Sequence, residues 1–567
     1  MTSTHVTHDL SLLWPPAYET HPQPRLTDAA VNDLDLPRTI AALGDEYGYA
    51  TRIREVLLQL CDDPAVIAYR QDVLADLVDV PDLGERLAGL LPEVIALDSW
   101  GYSIRPGQSP LHEVVWRVGQ LETYVEVIQG LQGVFEGLER PLRAEGLVRL
   151  RDLAAMVAAD EMFVRLSVEL PDLVAQVRGI ASITIGVNLD DQLRPVEATL
   201  IAINNKKFRG YASSLLSLLF GRDAQDGQWE GITPLHSARP SGAPAAMPQG
   251  VDATNPLMYP LFRDLADVLK KISRPVASAL HHYTRVNTQL LGNLGAELAF
   301  YLGAARLMKR LQASGLPVCR PEIAPKEARV CEISGLYNIN LALRLISRDG
   351  QADLSGVIVP NDALFGTAGR IFVLTGPNQG GKTTYTQAVG LAVVLAQAGL
   401  FVPGRQARIS PADNIHTHFP VEERPEMESG RLGEEADRLS RIFAQATRYS
   451  LILLNESLAS TSPGESLYLA RDIVRTLRVL GARAIYATHL HDLAAGCDDL
   501  NAETPGDSLI ASLVSLIQEG GGTGEITQTY RIIPGPPRGL SYARELAARY
   551  GISYEQLIAM LRGRGLA

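Results

Sequence analysis

The chain has 567 residues, of which 46% are hydrophobic and 20% charged, and a formal net charge of −12. That length predicts several domains and a sizeable core, and the balance is that of an ordinary folded soluble protein. Cys61, Cys319, Cys331 and Cys497 are scattered without C-x-x-C spacing, which argues against a disulfide framework or a zinc site and fits a reducing, cytoplasmic setting. The first residues show no basic segment followed by a long apolar run, so no signal peptide is expected. The longest apolar stretches, such as 391–402, are too short to cross a bilayer, and no membrane partner is expected. Net acidity counts against a nucleic-acid protein, yet residues 201–330 hold 16 Lys and Arg against 9 Asp and Glu. Such asymmetry marks either a polyanion-facing segment on an acidic body or a chance excess on solvated helices.

In chain order, residues 1–30 are rich in Pro, Thr and His and predict a flexible N-terminal arm. Helical periodicity starts near Arg38. Ile53, Val56, Leu57 and Leu60 share one face, and Asp62, Asp63 and Pro64 stop one helix and cap the next. From Leu121, the series Tyr124, Val127, Leu131, Val134, Leu138 is a helical stripe broken by Pro141, as the core of a helical body requires. Alternating β-branched residues in 181–203 predict a short strand or hairpin, followed by a basic turn with Lys206, Lys207 and Arg209 around Phe208. Residues 221–256 are dense in Gly, Pro, Ala and Ser and read as a long flexible loop. Helical spacing resumes at Leu261 and runs toward Leu311, and a second domain begins near Pro321.

The second domain holds the chemistry. Ile371–Thr375 is apolar and β-branched, as a buried parallel strand should be, and a helix pattern follows from Thr384 to a stop at Gly399. Between them, Gly376, Pro377, Asn378, Gln379, Gly380, Gly381, Lys382 and Thr383 fit G-x-x-x-x-G-K-S/T at every fixed position. Strand, Gly-rich turn and helix in that order predict a nucleoside triphosphate site: the turn's N–H groups and the helix N-terminus face phosphate oxygens, Lys382 adds a charge, and the Thr383 hydroxyl suits Mg²⁺. Residues 451–454 form a short apolar strand ending in Asn455 and Glu456, the form of a Walker B strand. Asn455 stands where the Mg²⁺ shell is held, and Glu456 where the attacking water is oriented or deprotonated. An amide oxygen there brings no charge, which predicts weaker Mg²⁺ retention and slow turnover with ATP binding kept. The next strand, 484–488, ends at His489, placed as a switch histidine on the γ-phosphate. Residues 509–517 and 526–533 predict a hairpin, and the tail a helix over 542–550 and another capped by Ser553 and Gln556.

The ordered set formed by Thr375–Thr383, residues 401–403, Ala446 and Thr447 ahead of Ser450–Glu456, residues 487–493, Val359–Asp362 before the phosphate loop, and Pro534 and Gly535 leading to Ser541 and Tyr542 resembles the ATPase domain of MutS proteins. It covers roughly 320–567. Residues 62–74 more loosely resemble the start of the MutS core helical domain. The resemblance implies a mixed fold: a mostly α-helical core and lever region over 31–320 with a clamp-like β insertion near 181–256, then an α/β P-loop, ABC-type ATPase domain over 321–567 with a C-terminal helical dimerisation segment. It implies ATP with Mg²⁺ as cofactors and a homodimer in which each head completes the other's site. Nucleotide contacts then fall on Gly376 to Thr384 and Asn361. The family's Gly-x-Ser-Thr-Phe signature is changed here to Glu428–Glu435, with Ser429 the nearest candidate for reaching the partner's γ-phosphate. A mismatch-reading domain, a connector domain and a Smr tail are not expected. The leading expectation is an ATP-dependent clamp on duplex or branched DNA, contacted through Lys206, Lys207, Arg209, Lys270, Lys271 and Arg274. The rival expectations are a nucleotide-gated protein scaffold without DNA contact and an ATP-binding protein with almost no turnover.

Overall fold

The computed structural model describes residues 10–16, 18, 23–44, 48–99, 110–208, 293–349, 353–367, 369–420, 430–519, 526–537, 550–564 and 566. They form a mixed α/β structure in two compact units. One is drawn from residues 86–137 and 149–295, the other from residues 11–85, 138–148 and 296–567. Among the described residues, no helix is long and apolar enough to cross a membrane.

In the first unit, the predicted stripe Tyr124, Val127, Leu131 and Val134 lies buried on the helix Pro110–Phe135. That helix packs on Glu161–Arg178, with Tyr124 and Phe163 edge to face at 6.0 Å. The expected hairpin follows: Ser182–Leu189 pairs antiparallel with Pro195–Asn204, and the Asp190 carboxylate closes its turn by accepting the amides of Gln192 and Arg194. Lys206 and Lys207 are exposed just beyond it. Arg209, Lys270, Lys271, Arg274 and the 221–256 loop lie outside the described residues.

The second unit is built on a six-stranded sheet in the order Ile415–His418, Leu451–Asn455, Arg483–Ala487, Ile371–Thr375, Ile510–Glu519, Ile526–Pro534. The first five strands run parallel and the last is antiparallel. Apolar side chains on both faces explain why the three central strands read as continuous hydrophobic runs. Ile371, Val373, Ile452, Leu454 and Ala484 meet the helix Pro463–Leu480 on one face. The phosphate-loop helix, Lys382–Gln397, uses the other, where Gly390 leaves space that Leu34 and Leu453 fill. Arg483, fully buried, donates to the carbonyls of Val330, Ser410, Pro411 and Tyr449 at 2.7–3.2 Å, tying the sheet to the segments beside it.

The described part of the N-terminal arm is packed, not loose. The amide of Leu12 donates to Glu297 at 2.6 Å, Tyr301 donates to the Leu12 carbonyl at 2.8 Å, and Arg70 donates to the Leu13 carbonyl at 2.9 Å while lying 4.5 Å over the Trp14 ring. Composition suggested a solvated arm, but residues nearly three hundred positions away bury it. The helix Leu36–Gly44 then crosses Leu294–Ala313 so closely that a Cβ on Gly303 would come 1.7 Å from the Leu43 carbonyl oxygen. A solvent-facing helical Gly gains about 1 kcal/mol on replacement by Ala. Here the backbone clash should win, and Gly303→Ala should lower stability by about 2 kcal/mol in urea denaturation. A stabilised variant would mean the two helices part at no cost.

Candidate nucleotide site

The phosphate loop leaves the sheet where glycine is required. Gly376 has φ +148 and runs so close to Ser515 that a Cβ would lie 2.6 Å from that residue's own Cβ; Gly381, at φ +90, caps the helix that starts with Lys382. Ser515, on the neighbouring strand, donates its hydroxyl to the Gly380 carbonyl at 2.6 Å and fixes the loop's far side. Gln528 donates to the Asn378 carbonyl at 3.1 Å from the last strand.

Lys382 is 4% exposed. Its ammonium donates to the carbonyls of Gly376 and Pro377, both at 3.0 Å, and lies 3.5 Å from His489 Nε2 and 3.9 Å from Glu456 Oε1. Burial lowers its pKa to about 8, and the nearby Glu456 carboxylate works against that fall. The Thr383 hydroxyl donates to Asn455 Oδ1 at 3.1 Å. Glu456 adopts φ +49 and accepts from His489 Nε2 at 2.8 Å. That hydrogen bond holds its carboxyl below the usual range; burial opposes it, and Lys382 adds to it. Lys382, Thr383, Asn455, Glu456 and His489, singled out from sequence, therefore meet at the carboxyl ends of three adjacent parallel strands.

A cavity of about 450 Å³ opens from this cluster, lined on its far side by Leu341, Leu345, Val357 and Ile358 and covered by Tyr530. Thr384 lines it too, and its carbonyl accepts from Asn338. Asn361 also lines it, but its amide is spent on the last strand: it donates to the Tyr530 carbonyl at 3.0 Å and accepts from the Ile532 amide at 2.7 Å. This clamps a bulge in which Tyr530 takes φ +57, bringing its ring over Gly381. Ser515, Asn338 and Tyr530 were missed from sequence, where each looks like an ordinary strand or cap residue. Ser429 lies outside the described residues.

The cluster fits a Mg²⁺–nucleotide. Lys382 holds loop carbonyls where phosphate oxygens could replace them, and a hydroxyl beside an amide oxygen offers the hard oxygen donors Mg²⁺ takes. Strand, loop and helix define a P-loop protein. Two family models match the chain, MutS domain V over residues 372–510 and the MutS2 N-terminal domain over residues 62–314. It is similar to the DNA mismatch repair protein MutS of Chlorobium limicola, 35% identical over 178 residues, 31% of this chain and 20% of that one. It is also similar to Endonuclease MutS2 of Thermomicrobium roseum, 32% identical over 309 residues, 53% of this chain and 35% of that one. A third relative, DNA mismatch repair protein MutS 2 of Halobacterium salinarum, is 37% identical over 145 residues, 25% of this chain and 17% of that one. The chain thus spans between 17% and 35% of the length of these curated relatives. The chain belongs to the MutS family.

The depressed Lys382 pKa has a measurable consequence. In the free protein its charge is full well below about 8 and is lost as the pH rises through that value, whereas a bound triphosphate holds the proton in place. ATP affinity should fall across that range, with proton uptake on binding above it. Calorimetry in buffers of different ionisation enthalpy measures both; binding without proton uptake would show that the free lysine keeps its charge.

Proposed function

We propose that the chain binds ATP with Mg²⁺ and slowly hydrolyses it to ADP and phosphate, and that it acts as a dimeric, nucleotide-driven clamp on duplex or branched DNA without dedicated mismatch reading. The observation that carries this reading is the meeting of Lys382, Thr383, Asn455, Glu456 and His489 within hydrogen-bond or ion-pair reach of one another at the mouth of the cavity. Gly376 to Thr384 would cradle the phosphates, with Lys382 supplying charge. Glu456 would orient the attacking water and take its proton, its carboxylate held in place by the hydrogen bond from His489. His489 would hold that carboxylate and face the γ-phosphate. Thr383 and Asn455 would hold the Mg²⁺ shell; the ion, when bound, neutralises charge on the transferring phosphoryl group. Tyr530 and the apolar wall would take the base.

DNA contact is assigned to Lys206 and Lys207 beside the hairpin, with Arg209, Lys270, Lys271 and Arg274, as backbone contacts of low sequence preference. Two observations favour a second reading, a nucleotide-gated protein scaffold: the net charge of −12 and the uncharged Asn455.

Glu456→Gln should cut turnover by about a hundredfold or more without abolishing ATP binding. Asn455→Asp should raise turnover and lower the Mg²⁺ concentration needed; no change would mean the metal is held another way. Steady-state turnover titrated with linear and four-way-branched DNA separates the two readings. Stimulation that is stronger for branched DNA and lost with salt supports the clamp. Turnover indifferent to DNA supports the scaffold.

A further inference from the structure

The loop that follows Glu456 is conformationally unusual. Glu456 and Leu458 both adopt left-handed backbone, at φ +49 and +63, and neither is glycine. Such strain persists only where surrounding contacts enforce it. Four side chains from four elements do so. His418 Nδ1 pairs with the Ser457 hydroxyl at 2.7 Å, Tyr486 donates to the Ser457 carbonyl at 3.0 Å, Ser466 donates to the Leu458 carbonyl at 2.7 Å, and Glu435 accepts from the Leu458 amide at 2.7 Å.

Three of these holds belong to the body of the sheet unit: His418, Tyr486 and Ser466 are buried. Glu435 differs. It sits on the helix Gly430–Gln445, whose C-terminal half is anchored by buried Leu439 and Ile442 and by Arg438 on Asp33, while Leu432, Gly433 and Glu434 before it are exposed. Glu435 therefore joins the loop behind Glu456 to the exposed end of that helix.

We propose that Glu435 is a positioning residue: it locks Glu456 in its working geometry and makes that geometry depend on the N-terminal end of the helix Gly430–Gln445. The proposal rests on the ATPase reading above. Glu435 meets the loop at the Leu458 amide, two residues along the chain from Glu456, so it should act on the rate of hydrolysis more than on nucleotide binding.

The test measures kcat, KM and the Kd of a fluorescent ATP analogue for Glu435→Ala, Glu435→Gln, Glu456→Gln and the Glu435→Ala/Glu456→Gln double variant, with amide exchange over 456–458 for each. Glu435→Ala should lower kcat about tenfold or more, the loss of one hydrogen bond to a charged acceptor, with the analogue's Kd unchanged. Glu435→Gln, whose amide oxygen can still accept from Leu458, should recover most of that rate. The double variant should be no slower than Glu456→Gln alone, because both act through one carboxylate. Exchange at the Leu458 amide should rise in Glu435→Ala. An unchanged kcat, a full additive loss in the double variant, a loss in Kd as large as that in kcat, or unaltered Leu458 exchange each overturns the proposal. Glu456→Gln with wild-type turnover sinks the ATPase reading instead, and the exchange result still decides whether Glu435 holds the loop.

Discussion

A lysine charge kept out of water is the constraint around which this site is arranged. Only 4% of Lys382 meets solvent, and burial pulls its pKa down to about 8. The Glu456 carboxylate opposes that from 3.9 Å, and two loop carbonyls accept the ammonium's hydrogen bonds at 3.0 Å. The ammonium is thus held charged but under-compensated, a state that an incoming polyphosphate would complete. Were Glu456 in direct contact, the lysine would be satisfied and its affinity for phosphate spent.

Parallel pairing makes this balance possible. Asn455 lies opposite Ala487, and Ala487 opposite Leu374, so the carboxyl ends of three adjacent strands deliver Glu456, His489 and the phosphate loop to one place. A slip of one residue between any two would turn an inward side chain outward and separate the trio. The buried strands hold register by side-chain fit on both faces, and Arg483, fixed by four carbonyls, pins the opposite end of the sheet.

What could be read from sequence follows from how local each signal is. The phosphate loop is contiguous, and its glycines sit at positions whose φ values demand them, so the motif carried its own geometry. The central strands were legible because both faces are apolar. Residues brought in from elsewhere were not. Ser515 reaches Gly380 across 135 positions, and Tyr530 faces the cavity only because a bulge held by Asn361 turns it there. The described part of the N-terminal arm was hidden for the same reason: its Pro, Thr and His content is a local statement, while Glu297 and Tyr301 hold Leu12. Asn361 lines the cavity, but its hydrogen bonds go to the bulge.

The early part of the chain is woven into the sheet unit at one further point. Asp33, at the end of the helix Asp28–Asp33, accepts from Thr417 beside the Asn455 strand and from Arg438 on the helix Gly430–Gln445, and its carbonyl accepts from Gln387 on the phosphate-loop helix. Burial pushes the Asp33 carboxyl up, and the hydrogen bond from Thr417 and the charge of Arg438 pull it back. A half-buried pair of this kind contributes specificity more than net stability. It makes the phosphate-loop helix and the Glu435 helix share one anchor, with Arg438 a single turn beyond Glu435. The proposed action of Glu435 on Glu456 would then leave the phosphate loop in place, because Asp33 ties both helices to one point.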